Sequence, residues 1–250
     1  MAKIALQMYS IREECQKDFL GTLRRVAAMG YDGVEFAGYF GVPAADVKAV
    51  LDETGLEPAG AHVNIKLIEE DLENSIAYTK ALGCPAFICP SFKVNKEDPA
   101  STFNYIIDLF NKTAKRCADE GLQFQYHIHG HEFIDVNGTT GMQMILDQTD
   151  PSLVFFEPDT MWIDHAGVDS VQFLRDNAER CVYIHLKDFK DRETWGDTEI
   201  GRGQLNIPAM IEIANEHNMP WFVIEQEGFD MPMMESVEIS LKNLRKMNGQ

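Results

Sequence analysis

Short apolar runs alternate with longer amphipathic stretches from one end of the chain to the other. An apolar run of about four to eight residues is typical of a buried strand, and apolar positions three and four apart predict a helix, often ended by a glycine. Eight runs predict strands at Ile4–Met8, Gly33–Phe36, Pro58–Val63, Ala86–Cys89, Gln123–His129, Leu153–Glu157, Cys181–Leu186 and Trp221–Glu225. The stretches that follow them predict helices at Asp18–Met29, Ala44–Thr54, Glu69–Leu82, Ser101–Glu120, Thr140–Gln148, Val168–Asn177, Ile207–Glu216 and Glu235–Lys246.

This alternation of strands and helices predicts a parallel sheet built from βαβ units. Eight strand–helix pairs are the number that closes a (β/α)8 TIM barrel, and the 250 residues of the chain suit such a barrel. No linker or shift of composition divides the chain, so we predict a single TIM-barrel domain over residues 1–250. A doubly wound open sheet is the structural alternative.

Charge and cysteine content narrow the classes of function. With 40 Asp and Glu against 22 Lys and Arg, the formal net charge is −18, which disfavours binding to nucleic acid or to an anionic membrane surface. No run of about 20 apolar residues predicts a membrane span, and the N-terminal residues lack the pattern of a secretory signal. The 5 cysteines are odd in number and include no Cys-x-x-Cys pair, which is typical of a reducing compartment. We therefore expect a cytoplasmic protein and leave a homo-oligomer open.

Polar side chains recur near the carboxyl ends of the predicted strands. In the seventh strand Tyr183, His185 and Lys187 alternate with apolar residues, so they share the face that points to the barrel axis. Other strands carry, at or just beyond their ends, Glu35, His62, His127, His129, Glu157, Asp159 and Glu225. The strand ends of a barrel meet at one mouth, where several buried carboxylates are costly unless a cation neutralises them. The pattern therefore predicts a bound divalent metal ion.

Five stretches, in order along nearly the whole chain, add a second signal. They are Ile4–Arg12 with Gly30–Phe36, Tyr126–His129 with Glu132 and Phe133, Phe156–Trp162, His185–Asp188, and Ile224–Gln226. Together they resemble the motifs of the xylose isomerase-like sugar phosphate isomerase/epimerase family. The resemblance implies a barrel enzyme for a small sugar or polyol, with one divalent ion held by two glutamates, an aspartate and a histidine.

Carried over motif by motif, the resemblance implies three metal ligands: Asp159, His185 and Glu225. The fourth ligand stays open. Glu132 matches the family's acidic position in the fifth-strand motif. The alternation of side chains along the strand instead places His127 and His129 on the face that points to the barrel axis, and so favours one of them as the ligand. The chain also carries Ile128 and Gly130 where relatives often have Asn and Asp, which leaves the substrate contacts near this strand open.

An oxygen-rich ligand set with one imidazole suits Mn²⁺, Mg²⁺ or Co²⁺, with Zn²⁺ as a further option. Such an ion acts as a Lewis acid and stabilises the enediolate that forms when a carbon next to a carbonyl loses its proton. We therefore predict a sugar isomerase or epimerase. The alternative is a lyase or dehydratase that acts on a keto-polyol or 3-keto-glycoside with the same site. A nuclease for abasic DNA, which the charge disfavours, and a metal-free binding barrel are two further hypotheses.

Individual roles follow from this chemistry. Glu132 and Glu225 are the predicted acid–base residues, and Lys187 is predicted to bind substrate oxygens or polarise a carbonyl. The predicted substrate contacts are Glu35, His62, His127, His129, Trp162 and Arg202. Among them, Trp162 offers an apolar wall for a sugar face, and Arg202 lies in a predicted mouth loop. Because no compact basic cluster occurs near the mouth, we expect a substrate without phosphate.

Overall fold

The computed structural model describes residues 1–250 and contains eight parallel strands around a common axis. In chain order, β1 to β8 are Lys3–Gln7, Gly33–Ala37, Glu57–His62, Ala86–Cys89, Gln123–Ile128, Val154–Pro158, Tyr183–Leu186 and Trp221–Ile224. Neighbours in the chain pair in parallel from β1 to β6, and β8 lies between β7 and β1. Two bridging pairs, Phe156 with Cys181 and Asp159 with His185, join β6 to β7 and close the ring. The predicted barrel is confirmed, and the closure excludes the open sheet.

Helices follow the strands and cover the outside of the barrel. In chain order, α1 to α11 are Arg12–Lys17, Phe19–Met29, Ala44–Thr54, Ile65–Glu70, Leu72–Leu82, Pro99–Asp119, Gly141–Gln148, Thr160–His165, Ser170–Asn177, Ile207–Glu216 and Met233–Met247. Short 3-10 helices occupy Met8–Ile11 and His131–Phe133. None of the helices combines the length and the apolar character that crossing a lipid bilayer requires.

Local geometry explains where the elements differ from the sequence prediction. The helix predicted at Glu69–Leu82 is two helices, because Asp71 leaves the helical region at φ −148° and separates α4 from α5. An additional helix, α8, starts directly after β6, since the side chain of Asp159 accepts the backbone N–H groups of Met161 and Trp162. Two short hairpins also extend the loops at the mouth, Asp135–Val136 with Thr139–Thr140 and Asp188–Phe189 with Asp197–Thr198.

The apolar core has two parts. The larger part, of 62 buried residues, fills the layer between strands and helices. The smaller part, of 7 residues, fills the barrel interior: Ala5, Ala59, Ala86, Ile88, Tyr183, Trp221 and Val223. The hydroxyl of Tyr183 donates to the carbonyl of Ala59 across this interior, at 2.9 Å. Small side chains on β1, β3 and β4 therefore accommodate large ones on β7 and β8. The polar residues that point to the barrel axis lie beyond this apolar interior, toward the carboxyl ends of the strands.

Gly33, at the start of β2, is predicted to tolerate no side chain. A Cβ there would overlap the carbonyl oxygen of Glu57 and lie 2.8 Å from the ring of Trp221. We expect Gly33→Ala to lower the free energy of unfolding by about 1–3 kcal/mol, the usual cost of overpacking a core. Urea unfolding of the variant checks this, with Gly196→Ala as the control, because a Cβ at Gly196 meets no atom closer than 3.6 Å. Equal stability of the two variants would contradict the packing argument.

Candidate active site

Four buried side chains converge at the carboxyl end of the barrel. One ligand atom from each of His127, Asp159, His185 and Glu225 lies within 4.8 Å of the others, and we call these residues the central group. Asp159 Oδ1 accepts the N–H groups of Met161 and Trp162, at 3.1 Å each. Asp159 Oδ2 has no hydrogen-bond partner although it is buried. One oxygen of Asp159 thus orients the side chain, and the other remains available as a ligand.

The ring of His185 is held from both sides. Its Nδ1 lies 3.0 Å from Glu225 Oε2, and its Nε2 lies 2.8 Å from Glu35 Oε2 and 3.1 Å from Glu157 Oε2. Burial alone would lower the pKa of His185, but Glu157 and Glu35 outweigh it and hold the pKa well above its usual value. In metal-bound histidines a carboxylate commonly contacts the ring nitrogen that does not bind the metal, and Glu35 and Glu157 lie in that position beside Nε2.

Glu157 is a residue of this site to which the sequence assigned no role. Its Oε2 lies 2.9 Å from His62 Nε2, 3.1 Å from His127 Nδ1 and 3.1 Å from His185 Nε2. Burial, followed by the charge of Glu35, raises the pKa of Glu157. The same two carboxylates overcome the effect of burial on His62 and raise its pKa to about 9. Glu157 shares strand parity with Asp159, and that parity was the signal that could have identified it.

Lys187 occupies the middle of a ring of carboxylates. Its Nζ lies 3.3 Å from Asp159 Oδ2 and 3.6 Å from Glu225 Oε2, and it also contacts Glu227. Burial would lower the pKa of Lys187, but Asp159 and Glu225 raise it, so the amine stays charged. Five carboxylates lie at the site, and they outnumber Lys187 together with the two imidazoles of raised pKa, His62 and His185. The residues present therefore fit a further cation.

The structure does not bring every predicted residue to the central group. Glu132 contacts Tyr126 and lies close to His129 and His131. These residues lie in and beside the loop after β5, at one side of the mouth. Arg202 pairs with Glu199 at 3.0 Å and lines neither of the mouth cavities described next. Trp162 is half-buried, and Lys187 Nζ lies 5.5 Å from the centre of its ring.

Two adjacent cavities open above these groups. The main cavity, of about 470 Å³, is lined by polar residues from several strand ends, among them His62, His127, His129, Glu225 and Glu227. No Lys or Arg lines it. A side cavity of about 330 Å³ shares Ser91 and His129 with it and continues to Trp162 and His165. The main cavity has room for one sugar ring above the central group.

Known proteins resemble the chain over nearly its whole length. The sequence model of the family described as xylose isomerase-like TIM barrel matches residues 23–247. Inosose dehydratase of Geobacillus kaustophilus is 25% identical over 190 residues, which cover 67% of this chain and 61% of that protein. Inosose dehydratase of Bacillus anthracis is 23% identical over 264 aligned positions, or 91% of this chain and 88% of that protein. A solved structure of a sugar phosphate isomerase/epimerase from Parabacteroides distasonis superposes with a TM-score of 0.83 at 24% identity and covers 98% of both chains.

Proposed function

This chain belongs to the xylose isomerase-like TIM-barrel family, and on that premise we propose that it is a divalent-metal-dependent isomerase or epimerase of a small sugar or keto-sugar. The observation that carries the proposal is the central group, in which Asp159, His185 and Glu225 converge beneath a cavity of about 470 Å³. A carboxylate-rich site below a sugar-sized cavity suits chemistry in which negative charge develops on substrate oxygens.

The central group supplies the ligands for one divalent ion. Asp159 Oδ2, which has no hydrogen-bond partner, Glu225 Oε2 and His185 Nδ1 are the three donor atoms in the proposal. For the fourth we propose His127 in place of Glu132, because His127 lies within the group and Glu132 does not. An ion of the Mn²⁺, Mg²⁺, Co²⁺ or Zn²⁺ class held by these residues would supply positive charge for polarising a carbonyl and stabilising a neighbouring oxyanion.

Glu225 is the base in this proposal. Its carboxylate lines the main cavity, and although burial would raise its pKa, Lys187 and His185 outweigh burial and hold the pKa below its usual value. An ionised carboxylate at this place can take the proton from a carbon next to a substrate carbonyl. Lys187 lies behind the cavity wall between Asp159 and Glu225, where its charge stabilises their ionised carboxylates. Return of the proton from Glu225 to the adjacent carbon gives isomerisation. Delivery of a proton from a water molecule to the opposite face of the same carbon gives epimerisation, and Glu225 then releases the first proton to solvent.

The charges on the wall of the main cavity also indicate the class of substrate. It contains the carboxylates of Glu225 and Glu227 and no Lys or Arg. A phosphate group in this cavity would meet the carboxylates of Glu225 and Glu227. The imidazole of His62, whose pKa is raised, is already paired with Glu35 and Glu157. We therefore propose a neutral keto-sugar or polyol ketone as substrate, with His62 and His129 as contacts to its hydroxyl groups.

Solvent exchange tests the proposed chemistry. A panel of neutral keto-sugars and inososes is incubated with the metal-loaded protein in heavy water and followed by proton NMR. We expect deuterium on the carbon next to the carbonyl, because the proton held by Glu225 exchanges with solvent before it returns. Glu225→Gln should slow exchange by about 10² to 10⁴-fold, the usual contribution of a general base. Turnover with no deuterium in the product would contradict the enediolate route.

A dehydratase is the second candidate function, and the names of the two sequence relatives favour it. It shares the first step, removal of the proton by Glu225, and then loses a hydroxyl group from the neighbouring carbon as water. The same NMR experiment separates the two outcomes. An isomerase or epimerase conserves the mass of the substrate apart from deuterium, whereas a dehydratase forms an enone or enol product that has lost water.

A further inference from the structure

The carboxylate of Glu132 is buried without a strong cationic partner. The side chain is fully buried, and its Oε1 accepts from the hydroxyl of Tyr126 and from the backbone N–H of His129. Its Oε2 has no hydrogen-bond partner. Its one ion-pair contact is His131, whose Nε2 lies 3.5 Å from Oε1. A carboxylate in such a place is costly unless a positive charge compensates it.

Two imidazoles lie next to this carboxylate. His129 Nδ1 is buried and has no hydrogen-bond partner, and the rings of His129 and His131 stack with centres 5.9 Å apart. One ligand atom from each of His129, His131 and Glu132 lies within 4.8 Å of the others. Because no other group contacts His129 Nδ1 by a hydrogen bond, this nitrogen can serve as a ligand atom.

These three residues are distinct from the central group. None of them is among its members. His129 and His131 line the side cavity of about 330 Å³, and Glu132 is buried beside them. That side cavity exposes His129, His131 and the indole of Trp162, so ligand positions not taken by protein remain open to water or to substrate oxygens. The two donations to Glu132 Oε1 hold its carboxylate in one orientation and leave Oε2 free.

We propose that His129, His131 and Glu132 form a second divalent-metal site at the edge of the mouth, separate from the central ion. Two imidazoles and one carboxylate with open positions suit Zn²⁺, Co²⁺ or Fe²⁺, and suit Mg²⁺ poorly because Mg²⁺ prefers an all-oxygen octahedron. An ion there neutralises Glu132 and provides a coordination position for an oxygen atom of a ligand in the side cavity. This site does not depend on the reaction catalysed at the central group.

Metal stoichiometry tests the proposal without any assay of activity. The full chain is freed of metal with a chelator and titrated with Co²⁺, followed by calorimetry and by visible absorption. We expect two equivalents for the wild-type protein and one for each of His131→Gln and Glu132→Gln. We expect one equivalent also for Asp159→Asn, which loses the other ion. His217→Gln is the matched control, because His217 is an exposed histidine at the C-terminal cap of α10, far along the chain. The His217→Gln variant should still bind two equivalents of Co²⁺.

The variants separate the possible results. His131 has 32% of its side chain exposed, so its substitution should leave the barrel intact even if the buried Glu132→Gln variant fails to fold. Circular dichroism checks folding in each case. A single equivalent in the wild-type protein would overturn the second site. Retention of two equivalents by folded His131→Gln would overturn it as well.

Discussion

Replacing Asp159 with alanine is expected to remove the central ion and to abolish turnover. Asp159 Oδ2 is a buried carboxylate oxygen without a hydrogen-bond partner, and Lys187 Nζ at 3.3 Å is its cationic neighbour. Lewis-acid stabilisation is worth several kcal/mol, so its loss should lower kcat/KM by about 10³-fold or more. Metal analysis of the purified variant, together with the NMR assay of proton exchange, measures both effects.

Asp159→Asn is the matched control for this prediction. Asp159 Oδ1 also caps helix α8 through Met161 and Trp162, so alanine removes about 1 kcal/mol of helix stabilisation together with the charge. Asparagine keeps an oxygen for the cap and removes the charge. If the metal binds through Asp159, the asparagine variant should lose the ion as the alanine variant does, but with the stability of the wild-type protein. Full occupancy of the central site in either variant would remove Asp159 from the proposed ligands.

The second large effect concerns β5. His127→Ala is expected to weaken binding of the central ion by about 100-fold or more, because loss of residues that only support a ligand already costs about 10–100-fold. Glu132→Gln should leave the affinity of the central site near the wild-type value, since the carboxylate of Glu132 lies with His129 and His131. Calorimetric titration measures the affinity of the central site in both variants. The binding step that is missing from the titration of Asp159→Asn is the one that belongs to the central site.

The opposite result has an equally clear meaning. If Glu132→Gln loses the central ion while His127→Ala retains it, the assignment based on the family motif is right and ours is wrong. Because Glu157 Oε2 lies 3.1 Å from His127 Nδ1, the alanine variant also loses a buried contact. His127→Gln, which keeps a polar group in the same space, separates that contact from metal binding.

Most of the fold could be predicted from the chain because its periodicity is strong. The strand at Ala86–Cys89 and the helices at Ala44–Thr54 and Ile207–Glu216 have the predicted bounds, since each is bounded by glycine, proline or polar residues. The break at Asp71 could not be predicted in the same way. The apolar positions of α4 and α5 continue across it, and only the backbone conformation of Asp71 separates the two helices.

The sequence predicts those site residues whose direction is set by the alternation of side chains along a strand. Parity placed His185, Lys187 and Glu225 on the barrel axis, and the structure brings them together. The position of Glu132 depends instead on the path of the loop after β5 and on the hydroxyl of Tyr126, a residue of the opposite parity that faces the helices. The contacts of Glu157 with three imidazoles from three strands likewise depend on barrel closure. Spacing along one strand contains no information on such contacts.

We predict that a divalent ion binds among Asp159, His185 and Glu225. Diffraction at the manganese absorption edge from crystals of the protein grown with Mn²⁺ tests it most directly. We predict an anomalous peak at bonding distance, about 2.0–2.3 Å, from Asp159 Oδ2, His185 Nδ1 and a carboxylate oxygen of Glu225. A map with no peak between these residues, in crystals whose protein retains bound Mn²⁺, would contradict the account.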